Sequence, residues 1–431
     1  MARSRGSAAS LKILDEVTYG VAQAVGGGTN YTRMPFVTAD LDEAQALLPS
    51  DLLGQGREPQ DPTPDVIDVN GPMAVPLDQR AFAHWLFHGM AAPVLTPIAA
   101  TGKITFNANP AINDTITING SVFTFIAGAS TATEIQIGGT PTLTATEAAS
   151  VLNGSADGNV TPATYLGNGA DLEITHDTTG TAGNAFTLAA SFATPADVTV
   201  SAATLQGGGY QRDFVSGQDP IPSASIEVGH EKVPAFFLNL GCLVESFSFS
   251  MQRGGLTTAN LQLLAQGQEA ATAVTADAAA TELAISRFSA GRGFILVDDA
   301  QIPITGGQFT FNNNFDPVPT IRDDGKIDGY DPGVNSMTGQ IAVRFADLDL
   351  VNKAKAGTPI KLQYGYSAPG AVLPRLELTM ERVFLPLPRK TINGPGGVEV
   401  TYDWQAAKAS GPGVSLTARL HNDVQQYEFE E

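Results

Sequence analysis

Along much of the chain apolar and polar residues alternate one for one, the period of a strand that buries a single face. After residue 209 this pattern runs through "VESFSFSM" (244–251), "NLQLLAQ" (260–266), "TGQIAVRF" (338–345) and "PIKLQYGY" (359–366). It continues in "RLELTMERVFL" (375–385), "VEVTYDWQA" (398–406) and "VSLTARLHN" (414–422), with one helical pattern, "DLDLVNKAK", between them. Such a series predicts a mainly β unit, an antiparallel β-sandwich or partial barrel.

Between Gly102 and Gly208 the texture changes: Thr, Ala, Gly and Asn dominate, Arg is absent and Lys103 is the sole basic residue. "GKITFNA" and "DTITINGSVFTFIAG" alternate, and Asn119-Gly120 stands where a two-residue hairpin turn needs positive φ. "TATEAASVLNG" carries Thr144 and Glu147 at capping-box spacing and stops at Asn153-Gly154, which predicts one short helix. "DLEITHD", "NAFTLAA" and "DVTVSAATL" read as further strands, and glycines 207–209 form a hinge. Residues 102–208 therefore read as a small β-rich α+β module with its own composition.

Before residue 101 loops prevail. In "PSDLLGQGREPQDPTPDVIDVNGPMAVPL" (49–77) Pro and Gly are expected to block long regular elements and leave an arm packed over others. "DQRAFAHWLFHGM" (78–90) predicts a helix, with Asp78 as cap, Phe82 and Leu86 one turn apart and Gly89 as stop.

At 431 residues the chain is long for one core and fits two or three domains. Hydrophobic residues make up 43% and charged ones 16%, the balance of a folded chain. Acidic residues outnumber Lys and Arg by 44 to 24, giving a net charge of -20, the wrong sign for gripping phosphate backbones. The single cysteine, Cys242, excludes an intrachain disulfide, so stability is expected from packing or assembly. The start has no apolar run of signal-peptide type, and no stretch approaches the roughly 18 apolar residues of a membrane helix. Synthesis in a cytoplasm is the expectation.

Candidate chemistry is sparse. His84 and His88 stand four apart, the spacing for a shared zinc ion, but Trp85 occupies the place of a metalloprotease Glu and no third ligand is marked. With Arg80 on the same stripe, a polar or packing face is the better reading. "NNNFDP" sets Asn312, Asn314 and Asp316 at alternate positions, yet Pro317 stands where a calcium loop turns on Gly. "DDGKIDGYD" fails the same test, so both read as turns. The Gly167/Gly169 and Gly291/Gly293 pairs complete no dinucleotide fingerprint, and Cys242, among apolar neighbours, reads as a buried inert thiol. No catalytic constellation, metal site or cofactor motif is found, and the expectation is a protein that is not an enzyme.

Outside residues 102–208 the chain resembles the tail tube proteins of long-tailed, siphovirus-like bacteriophages. The resemblance is carried by "PSDLLGQGREP" with "VNGPMAVPL", by "TIRDDGKIDGYDPGVNSMTGQIAVRF", and by "INGPGGVEVTYDWQAAKASGPGVSLTARLHND". In the last, a Gly-Pro-Gly-Gly turn (394–397) precedes a strand ending in Trp404-Gln405-Ala406 and a strand closing on Asn422-Asp423. The resemblance implies one β-sandwich-like tube domain split into 1–101, with an N-terminal arm and a flanking helix, and 209–431. It further implies hexameric rings stacked into a hollow tube around a tape measure protein, joined to tail terminal proteins. The genome would pass through without specific binding, and the location would be the virion, with no membrane partner for the monomer. In such a tube, strand edges close between neighbouring copies, and an acidic lumen repels DNA at short range.

Strand alternation puts Glu399, Thr401, Asp403 and Gln405 on one face of their strand, and Glu377, Thr379 and Glu381 on one face of another. Glu377, Glu381, Glu399 and Asp403 are accordingly the candidates for lining the lumen, set against exposure on the outer surface. The insertion resembles a module that recurs in phage virion proteins, through "GKITFNANPAINDTITINGSVFTFIAG", "TAGNAFTLAAS" and "ATLQGG". It holds eight acidic residues and one lysine, and six copies inside a narrow bore would block it, so it is expected to project outward. Two alternatives stand beside the tube subunit: a related terminator or distal ring protein on the same fold, and a module that binds host-surface glycans through exposed aromatics.

Overall fold

The computed structural model describes residues 3–26, 29–53, 57–367, 375–392, 396–411 and 413–430. First come β1 (Ala9–Asp15), β2 (Asp42–Leu48), β3 (Thr63–Pro76), α1 (Phe82–Met90) and β4 (Val94–Phe106). The stretch that follows contains α2 (Pro141–Asn153). Then come β5 (Gly209–Val215), β6 (Ala224–His230), β7 (Ala235–Met251), β8 (Thr258–Ala265), β9 (Gly293–Val297) and β10 (Ile304–Asn312). Last are β11 (Ser336–Arg344), α3 (Asp349–Ala356), β12 (Ile360–Ser367), β13 (Arg375–Phe384), β14 (Glu399–Ala406) and β15 (Thr417–Asn422).

Mainly β architecture emerges, as the alternation predicts, in two layers. The first runs β2–β3–β8–β7–β10–β11–β14, each neighbour antiparallel. The second runs β9–β12–β13–β15–β5–β4, also antiparallel throughout. β13 and β14 touch only at Val383↔Ala406 and Phe384↔Gln405, so the layers join at one corner without closing into a barrel. The first half of β7 leaves the first layer to pair with β6, which pairs in turn with β1.

Between the layers, the buried alternate residues of each strand form one large apolar cluster. Tyr364 of β12 crosses it, its ring 6.0 Å from Phe309 and 6.0 Å from Trp404 of the opposite layer. Its hydroxyl accepts from Trp404 Nε1 at 2.8 Å and points at the carbonyls of Gln308 and Gln340, 3.2 and 3.3 Å away. A polar atom in an apolar core is thus partnered on both sides.

Helix α1 plugs the space between β7 and β5, and all nine of its residues are buried. A helix this short is marginal in water, so it is burial that holds it. Asp78 Oδ1 accepts from Arg80 N and Ala81 N at 2.8 and 2.9 Å, capping the preceding turn. The expected stop, Gly89, lies inside the helix; Ala91, with φ 65°, ends it. The helix on the flank is α3, with only Leu350 and Val351 buried and Gly357 in the left-handed cap.

The Pro-rich run departs from expectation, because β3 spans 14 residues through Pro64, Gly71 and Pro72. A proline in a strand forfeits only its donor, and Pro72 still accepts from Asp40 N at 3.1 Å through its carbonyl. Gly71 permits that approach, since a Cβ there would lie 1.8 Å from Asp40 O. Residues 54–56, and Gly394 and Pro395 of the Gly-Pro-Gly-Gly turn, lie outside the described residues.

Residues of the stretch between β4 and β5 gather around a second apolar cluster, from Ala100 to Leu205. Asn119 and Gly120, with φ 47° and 93°, turn the hairpin of Thr115–Ile118 and Ser121–Ile126. Helix α2 starts earlier than the capping-box spacing suggests: Thr140 is its cap, accepting from Leu143 N, and Pro141 opens the helix. Thr144 is instead buried, donating to Asn109 Oδ1 and accepting from Gly138 N. β4 serves both clusters. Its residues 94–98 pair with β5, and residues 99–106 pair with strands Asp171–Thr179 and Val198–Val200.

Candidate functional site

The outward face of the first layer is built from the polar half of each alternation. One row crosses it as Ala74, Asn260, Ser248, Thr310, Thr338 and Gln405, each opposite the next in register. A parallel row reads Ser250, Gln308, Gln340 and Asp403. Hydroxyls and carboxamides make up most of both, and an open depression lies over Gln308, Thr310, Thr338, Gln340 and Gln405. Within the described strands of this layer, Arg344, at the end of β11 opposite Glu399, is the one cation at an outward position.

The second layer turns a different chemistry outward. Its row Gly365, Glu377, Arg419 and Asp213 is ionic, and Arg419 Nε donates to Asp213 Oδ1 at 2.8 Å. Arg375 lies 3.2 Å from Glu377, and Lys361 Nζ lies 3.9 Å from Glu381. The pairing with Asp213 raises the pKa of Arg419, so this face keeps fixed cations at any ordinary pH.

The four candidate lumen carboxylates are therefore not brought together. Glu399 and Asp403 lie on the outward face of the first layer, where Thr305 Oγ1 and Gln340 Nε2 donate to them, each at 2.8 Å. Glu377 and Glu381 lie on the outward face of the second. Reading one strand at a time missed the neutral rows, although the serines of "SFSFS" already signal them.

The remaining sequence candidates are occupied structurally. His84 meets the stacked rings of Tyr427 and Phe429 edge-on, at 5.3 and 5.2 Å, and burial lowers its pKa to about 4. His88 Nδ1 meets Pro222 O at 3.0 Å, and its Nε2 lies 2.9 Å from Asp15 Oδ1. Asn312 and Asn314 make a turn: Asn312 Oδ1 accepts from Asn314 N, and Asn314 Nδ2 donates to Val334 O. In the second proposed turn, Arg322 bridges Asp324 and Asp328. Among the described residues no group of three or more His, Cys, Asp or Glu is arranged to hold a metal ion. Cys242 is buried, which pushes its thiol well up from the ordinary range.

Two further features bear on assembly. Every residue of β2 is exposed, and the β2–β3 hairpin presents Leu47, Leu48 and Val66 to solvent. Thr101 and Gln206 exchange both backbone hydrogen bonds at 2.8 Å, closing a two-stranded neck at the base of the second cluster.

A family model described as phage tail tube protein matches residues 6–406, from before β1 through β14. The chain belongs to that family. A comparison with curated protein sequences finds no match. Membership makes the chain a structural component of the virion that self-assembles into a tube. The neutral and ionic faces, the exposed hairpin and the neck are then surfaces of a polymer subunit. No helix among the described residues is long and apolar enough to cross a membrane.

Proposed function

We propose that this chain is the major tail tube subunit of a long-tailed phage, stacking as hexameric rings around a bore. The bore would hold the tape measure protein and later pass the genome without binding it specifically, with tail terminal proteins at its ends. Synthesis takes place in the host cytoplasm, before assembly into the virion. The observation that carries this reading is the family match across both parts of the β body. The open edges of the two layers support it, because an unpaired strand edge is a template for pairing with another chain, and neighbouring copies would supply that pairing.

In this reading residues 1–101 and 209–431 form the tube domain, and residues 102–208 are a module carried on its outside. Separate apolar clusters and the Thr101–Gln206 neck support that division. The module's aromatic residues Phe106, Phe123, Phe125, Tyr165, Phe186 and Phe192 are all buried, which weighs against glycan recognition by ring stacking.

Negative-stain microscopy of the purified chain tests the proposal: long hollow tubes are expected, and a persistent monomer overturns it. Excising residues 103–204 and closing the neck with a short glycine linker should leave tubes intact and thinner. Loss of polymerisation by that folded variant would refute the external placement.

A further inference from the structure

We infer that the outward face of the first layer is the wall of the bore, and that it faces a passing polyanion with neutral hydroxyls and carboxamides rather than a carboxylate lining. The inference rests on the tube reading and assigns a side to it.

Two independent observations select the face. The first is chemical. Each Lys or Arg that meets phosphate releases counterions and adds to affinity, so a wall carrying Arg375, Arg419 and Lys361 would retard a polyanion. The first layer offers Ser248, Thr310, Thr338 and Gln405 in one row, groups that stay hydrated and exert no net Coulomb force. Carboxylates add repulsion along both margins of the layer, from Glu399 and Asp403 on β14 and from Asp42 and Asp68 on β2 and β3, and leave Ser248, Thr310 and Thr338 neutral between them.

The second observation is topological. The module grows out of β4, the edge strand of the second layer, and no strand of the first layer enters it. A module of this size has room outside a tube and none inside it. Its root thus marks the second layer as the outer side and leaves the first to the bore.

Cysteine accessibility tests the assignment, since the sole native cysteine is buried and unmodified tubes serve as the unlabelled control. Thr338→Cys and Thr310→Cys probe the first layer, and Thr379→Cys the second. Each is treated with a small fluorescent maleimide and with a maleimide carried on a globular protein too large for the bore. In assembled tubes the first-layer cysteines should take the small reagent and lose reaction with the large one. Thr379→Cys should keep whatever reaction it has with the large reagent. Dissociated subunits should react with both. Labelling of Thr338→Cys by the large reagent puts the face outside, and protection from both reagents puts it between copies; either result overturns the inference. If unmodified chain forms no tubes, it is the tube reading that has failed. If Thr338→Cys alone fails to assemble, Thr310→Cys, its neighbour in the row, decides.

Discussion

Replacing Tyr364 by Phe removes one oxygen from the centre of the sandwich and leaves the ring in place. Trp404 Nε1 then loses the acceptor it reaches at 2.8 Å, and the Gln308 and Gln340 carbonyls lose a shared donor. An orphaned buried donor costs about 1–3 kcal/mol, and the lost donated bond about 0.5–1.5 kcal/mol more. The sum, about 1.5–4.5 kcal/mol, is a large part of the roughly 5–15 kcal/mol that holds a typical domain together. Tyr366, two residues along the same strand, supplies the control, for its buried hydroxyl has no hydrogen-bond partner among the described residues. Tyr366→Phe should be neutral or slightly stabilising, since it removes an unsatisfied polar atom. Trp85 and Trp404 are the two tryptophans of the chain, and both lie in the large cluster. Fluorescence during urea unfolding of dissociated subunits therefore reports on the sandwich and not on the module. For a slope of about 3 kcal/mol/M, Tyr364→Phe should lower the midpoint by about 1 M. Equal midpoints for the two variants would refute the cross-layer role of the hydroxyl.

Arg212 is fully buried and donates to both oxygens of Glu430, at 2.6 and 2.7 Å. Glu430→Gln strands that cation and should cost about 3 kcal/mol in the same unfolding assay, discounted at the partly open Glu430 end. Gly339→Ala drives a Cβ to 2.1 Å from Gln308 O and 2.6 Å from Trp404 Cζ2, so a lower unfolding midpoint and altered tryptophan emission are expected. His84, its pKa lowered to about 4, is neutral in the fold while the unfolded chain takes up its proton near pH 6.5. Its contribution is complete above about pH 6.5 and declines towards pH 4, by about 3 kcal/mol, and His84→Phe should flatten that part of a stability–pH curve. Leu47→Ser with Leu48→Ser changes exposed positions, so subunit unfolding should move by less than about 0.5 kcal/mol. Tube length in micrographs should nevertheless fall, because neighbouring copies in the tube are the proposed cover for these exposed side chains.

Much of this protein was legible in its sequence, and the reason is local. A residue's side of a strand depends on parity alone, so "VEVTYDWQA" already separates Tyr402 and Trp404 from Asp403 and Gln405. Asn119-Gly120 fixes its hairpin through backbone sterics, and the loss of Arg between 102 and 208 follows the extent of the second cluster. Parity does not say which layer a strand joins, however, and that decided the fate of the candidate site. Glu377 and Asp403 belong to strands that meet only at the β13–β14 corner, and the fold turns their polar sides to opposite surfaces. The same limit explains β3, where prolines that read as breakers lie in a strand held along its second half by β8, far along the chain. It explains α1 as well, whose His84 and His88 are enclosed with the rest of the helix because β5, β7 and the segment bearing Tyr427 and Phe429 converge on it. Local pattern determined the elements and their buried sides; long-range pairing determined which surfaces those sides became.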